Sequence, residues 1–104
     1  MANPLHGEVE IVADGRRRVL RLSLGALAAL EAELNCEGLV ELAGRFERGG
    51  VRADDVIAVL AAGFRGAGDE AAALEVAQMR FEGGALGATK VAARLLSAAF
   101  TGEA

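Results

Sequence analysis

The residues best suited to chemistry are few and scattered. His6 and Cys36 are the only imidazole and the only thiol in the chain, and no third ligand pattern surrounds either. A structural zinc site needs four such ligands, so this pair makes no metal site. His6 reads as a solvated arm residue, and Cys36 as a small apolar filler or an exposed thiol between helices. The run Gly83-Gly84-Ala85-Leu86-Gly87-Ala88-Thr89-Lys90 has the glycines, Thr and Lys of a phosphate-binding loop. Its order is wrong, because G-x-x-x-x-G-K-[ST] places Lys directly after the second Gly and before the hydroxyl residue, and no buried strand leads into it. It reads as a hinge between helices. No catalytic, cofactor-binding or metal-binding residue is assigned, and the expectation is a protein that is not an enzyme and carries no cofactor.

The charged residues offer binding in place of catalysis. Glu31, Glu33, Glu37, Glu41 and Glu47 face a single Arg45 across residues 31 to 47, and Arg16, Arg17 and Arg18 form a basic cluster elsewhere. Such runs mostly keep a surface solvated; the functional alternative is an acidic docking face for a basic partner, with the arginines as its opposite pole. The net charge of -4 argues against a nucleic-acid partner, because affinity for phosphates comes from clustered Lys and Arg. No stretch reaches 18 uninterrupted apolar residues, which argues against a membrane span. With one cysteine and no signal-like start, the expected compartment is the cytoplasm.

These side chains sit on elements that can be read in order. At 104 residues, with 53% apolar and 4% aromatic residues, the chain fits one domain, 1–104, with a core of Leu, Val, Ile, Phe and small spacers. Residues 1–7 read as a loose N-terminal arm. From Glu8 the pattern alternates, with Val9, Ile11 and Ala13 on one face and Glu8, Glu10 and Val12 on the other. Asp14-Gly15 marks a hairpin, so residues 8–23 form a β-hairpin. Two registers are open. A two-residue turn pairs Ile11 with Arg18. A four-residue loop pairs Ile11 with Leu20, Val9 with Leu22, Val12 with Val19 and Glu10 with Arg21. The second is preferred, since it sets apolar against apolar and opposite charges against each other.

Residues 24–101 read as helical. Ser23 is the N-cap of a first helix beginning near Leu24, with Leu27, Leu30 and Leu34 on one face and Asn35 or Gly38 taking a left-handed C-terminal conformation. A second helix runs from about Leu39 to Arg48, with Leu39, Leu42, Ala43 and Phe46 inward and Glu41 four residues before Arg45. Asp54 and Asp55 open a third, whose apolar face is Val56, Ile57, Leu60, Ala61 and Phe64. Asp69-Glu70 opens a short fourth in which Leu74, Ala77 and Phe81 share a side. The last helix spans about Ala85 to Phe100, with fraying beyond it. Lys90, Arg94, Ser97 and Thr101 form one narrow polar stripe. The rest of that helix is apolar, so it is either a central strut with Val91, Leu95 and Leu96 in the core or offers a second face to a partner.

One segment then carries a family resemblance: Leu22-Ser23-Leu24-Gly25-Ala26-Leu27-Ala28-Ala29-Leu30-Glu31, preceded by Asp14-Gly15 and by the start Met1 to Glu8, M-A-N-P-L-H-G-E. The chain resembles the small tail assembly chaperone encoded in gene transfer agents of α-proteobacteria and in related phages and prophages. The resemblance covers nearly the whole chain, and the later helices match in pattern more than in letters. It implies a factor that acts on the tape measure protein, and on other tail proteins, during assembly of a siphophage-like tail, keeping that long helical chain soluble until tube subunits polymerise around it. Some members of the family are described as tail-tube components, so the alternative is a structural subunit retained in the particle. The family has no catalytic motif to carry over. The expectation is thus an α+β domain, a two-stranded antiparallel hairpin packed on four or five short helices. It binds protein partners through those of Leu86, Val91, Leu95 and Phe100 that prove exposed.

Overall fold

The computed structural model describes residues 7–101. Met1 to His6 and residues 102–104, and with them most of the expected arm and the expected fraying end, lie outside the described residues. Gly7, the last residue of that arm, is buried. The elements follow in the order β1 (Glu8–Ala13), β2 (Arg16–Arg21), α1 (Leu24–Glu33), α2 (Leu39–Glu47), α3 (Ala53–Gly66), α4 (Glu70–Ala73), a single 3-10 turn (Val76–Gln78) and α5 (Gly84–Thr101). This is an α+β fold with a two-stranded antiparallel sheet.

The hairpin has the two-residue turn. Val9 pairs with Leu20, Ile11 with Arg18 and Ala13 with Arg16, so the preferred four-residue register is corrected. Asp14 and Gly15 both have positive φ, 52° and 76°, the twist that matches two right-handed strands. Pairing an isoleucine with an arginine on the inner face is tolerated because the arginine is amphipathic. The Arg18 guanidinium carbon lies 5.3 Å from the centroid of the Phe64 ring, and its terminal nitrogen pairs with the Asp69 carboxylate. Arg21 opposes Glu8, and Glu10, expected opposite Arg21, pairs with Val19. The alternation of β1 is as read, with Val9, Ile11 and Ala13 buried.

Ser23 caps α1, its hydroxyl accepting from the Ala26 amide at 3.1 Å. The helix ends in a Schellman turn: Asn35 has φ 55°, its amide bonds the Ala32 carbonyl at 3.4 Å, and the Cys36 amide bonds the Glu31 carbonyl at 2.9 Å. Arg45 from α2 reaches back to the Leu34 carbonyl at 3.0 Å and to Glu41 at 3.4 Å, which ties α2 to the end of α1.

Helix α3 is the element most others pack on, touching β2, α1, α4 and α5. Asp55 accepts from the Arg52 amide at 3.0 Å and fixes its start. From Val56 to Phe64 every residue except Ile57 is buried. Its approach to the sheet depends on glycine. A Cβ on Gly66 would sit 1.8 Å from the Arg21 carbonyl oxygen, and one on Gly63 would sit 2.6 Å from Leu95. Helix α5 packs against β1, α2 and α3 and buries Val91, Leu95 and Leu96, the strut arrangement, while Lys90, Arg94, Ser97 and Thr101 are all exposed.

The fourth helix is shorter than expected. It stops at Ala73, and the 3-10 turn that follows breaks the period, so Leu74 and Ala77 are exposed while Ala72, Ala73 and Val76 face the core. Phe81 does not share a side with them. It forms an antiparallel bridge to Ala13, and the Glu82 amide bonds the Val12 carbonyl at 3.1 Å, which covers the end of the free edge of β1.

Candidate partner-binding surface

Among the described residues, those that could have done chemistry are not brought together. Cys36 is half-buried against the core and occupies the position after the left-handed residue of the Schellman turn, where an apolar contact is usual. Burial pushes its thiol pKa up, with the positive charge of Arg45 opposing the shift, so the group stays a thiol at neutral pH. His6 lies outside the described residues. Gly83 to Lys90 turns directly into α5, and the Thr89 hydroxyl is spent on the Ala85 carbonyl at 2.8 Å. Among the described residues no cluster of three or more His, Cys, Asp or Glu could hold a metal ion, and no polar or charged residue is buried.

The arginine cluster divides by strand face. Arg18 turns inward to Phe64 and Asp69, Arg17 lies 4.0 Å from Glu10, and Arg16 is exposed at the tip. Asp69 does three jobs at once. Its amide closes the Schellman turn of α3 on the Phe64 carbonyl at 2.9 Å, one carboxylate oxygen caps α4 at the Ala72 amide at 3.0 Å, and the other meets Arg18. These contacts hold its pKa below the ordinary carboxylate value, the Ala72 amide contributing most.

What remains open to a partner is apolar. Among the described residues, the large apolar side chains that face solvent are Leu24, Leu39, Val40, Leu74 and Leu86. Of the four positions expected to meet a partner, Leu86 is 66% exposed and Phe100 is partly buried. Val91 and Leu95 are buried, at 6% and 0%, and are therefore core residues of this fold. Two clefts flank α5. One of about 390 Å³ opens between α3, the segment from the 3-10 turn to Phe81, and the first turns of α5; Val56, Ile57, Leu60, Met79, Phe81 and Ala88 supply much of its wall. The other, about 380 Å³, lies between α2 and the C-terminal half of α5 and is lined by Phe46, Leu96 and Phe100 with Glu47 and Arg94. Phe100 is the one of the four expected positions that lines either cleft. The first was hidden, because its wall is assembled from three segments distant in the chain.

A family model described as "Phage tail tube protein, GTA-gp10" matches residues 6–102. The chain belongs to that family. Membership in the GTA-gp10 family places it among phage-tail and gene-transfer-agent proteins, which accords with the coarser part of the resemblance read from Leu22 to Glu31. Comparison with curated proteins and with solved structures returned no match. No helix among the described residues is long and apolar enough to cross a membrane.

Proposed function

We propose that this GTA-gp10 family protein is a non-enzymatic tail assembly chaperone that acts in the cytoplasm of the producing cell. Its partner is the tape measure protein of a gene transfer agent or prophage, with other tail proteins as further partners and neither nucleic acid nor membrane involved. The observation that carries the reading is the pair of open, mainly apolar clefts on either side of α5, in a protein whose polar groups are otherwise on its surface. An amphipathic helix presents apolar anchors at i, i+3, i+4 and i+7, and a groove walled by helices accepts that spacing. A net charge of -4 would keep such a complex soluble while its apolar stretches are covered.

Co-expression with the tape measure protein encoded beside it tests the reading. The expected result is a tape measure protein that stays soluble and co-purifies with this chain. An insoluble tape measure protein and no complex would overturn the proposal. The family description favours a second reading, a tube component retained in the particle. Finding the chain at stoichiometric level in purified particles supports that second reading against a transient chaperone.

A further inference from the structure

We infer that the cleft between α3 and the start of α5 receives an acidic amphipathic helix of the partner, its apolar side chains entering the cleft and a carboxylate meeting Arg80. This deepens the function proposed above and takes the partner's class, a helical protein segment, from that reading. The choice of cleft and of charge comes from the site itself.

Arg80 is the only charged residue among those lining this cleft. Its backbone is held on both sides by one residue: its amide donates to the Asp14 carboxylate at 2.8 Å, and its carbonyl accepts from the Asp14 amide at 2.7 Å. The side chain is exposed and makes no hydrogen bond or ion pair among the described residues. The result is a cation on a fixed stem at the edge of an apolar hollow, with no carboxylate lining the hollow to neutralise it. The one hydroxyl on the wall, Thr89, is already satisfied by Ala85. The unmet electrostatic demand of the cleft is therefore for an anion next to apolar groups. The cleft between α2 and α5 lacks that bias, since both Glu47 and Arg94 line it.

The same geometry selects a helix over an extended peptide. A strand-like ligand needs a free sheet edge, and no strand lines the cleft; the end of β1 nearest the Phe81 segment is already bridged by Phe81 and bonded by the Glu82 amide. The walls are fixed: α3 by its Asp55 cap, and the Phe81 segment by that bridge. Ala77 on the wall is exposed, and Leu86, which follows the lining residue Ala85, adds apolar surface outside the cleft for the flank of a docked helix.

Two synthetic helical peptides test this, sharing a Leu and Ala face and differing only in Glu or Lys at the flanking positions. Each is titrated into the isotopically labelled full chain. The Glu peptide is expected to shift the amide signals of Ile57, Ala88 and Thr89, with the Lys peptide about fivefold weaker, the scale of one exposed ion pair. Arg80→Glu should reverse the order. No shift at those amides with either peptide, equal binding of both, or shifts centred on Ala43 and Ser97 would overturn the inference. Arg80→Glu and Ala85→Asp, both at exposed positions, are then carried into co-expression with the tape measure protein. If the wild-type chain solubilises it and both variants do so equally, the cleft is not the site while the chaperone reading stands. If the wild-type chain fails there but the Glu peptide seats in the cleft, the docking site stands and the chaperone reading falls.

Discussion

Two residues hold more of this fold than their side chains suggest. Gly66 ends α3 where the helix meets β2, and a methyl group there would overlap the Arg21 carbonyl, which cannot move without breaking the hairpin. Gly66→Ala, a change that would stabilise an exposed helix, should here cost about 1–3 kcal/mol as overpacking, measured by urea denaturation. Asp69 joins the end of α3, the start of α4 and the inner face of β2. Its pKa is depressed in the folded state, so its contribution to stability is present above the ordinary carboxylate value of 3.8 and is lost as pH falls below that through the folded value. Thermal denaturation from pH 6 to pH 2.5 should therefore show a steeper acid loss in the wild-type chain than in Asp69→Asn. Equal slopes would mean that the carboxylate does not report on folding. The sequence marks Asp69 as a helix start, but nothing in it marks the partner, Arg18, which lies 51 positions away.

At the scale of elements, the segment from Ser23 to Leu34 does what its spacing implies. Leu27 and Leu30 are buried and Ser23 caps the helix. Leu30, at 2% exposure, should lose about 2–5 kcal/mol on truncation to Ala, and a negligible change in the denaturation midpoint would remove α1 from the core. Caps and breaks were legible wherever a short-range rule governs them: Ser23, Asn35, Asp55 and the turn Asp14-Gly15 each act within a few residues. Two features were not. Matching apolar to apolar across the hairpin misplaced the register by treating Arg18 as a solvent-facing charge, when its guanidinium lies over the Phe64 ring. Extending a helical period past Ala73 misplaced Leu74 and Phe81, because the Phe81 segment is claimed by a tertiary contact with β1 that local propensity does not encode. The family motif at Leu22 to Glu31 was legible as a motif, whereas the larger cleft required three segments to be assembled first.

For the whole molecule, α5 separates stability from binding. One cluster of buried side chains runs from Val9 to Ala98, and Val91 and Leu95 belong to it, while Leu86 stands in solvent one turn before Lys90 on the exposed stripe. Substitutions on the two sides of this helix should therefore fail in different ways. Leu95→Ala removes a fully buried side chain beside Gly63 and should cost about 2–5 kcal/mol in urea denaturation, lowering partner binding only through loss of folded protein. Leu86→Ser removes none of that packing and should leave the denaturation midpoint within about 0.5 kcal/mol of wild type. If α5 presents its first turns to a partner, Leu86→Ser still reduces the soluble yield of a co-expressed tape measure protein at unchanged stability. A Leu86→Ser chain that folds and solubilises the partner as well as the wild type would remove Leu86 from the contact and leave the cleft wall at Ala85, Ala88 and Thr89 and the surface around Phe100 as the remaining candidates on this helix. A Leu86→Ser chain that loses stability as Leu95→Ala does would instead show that residue 86 belongs to the core.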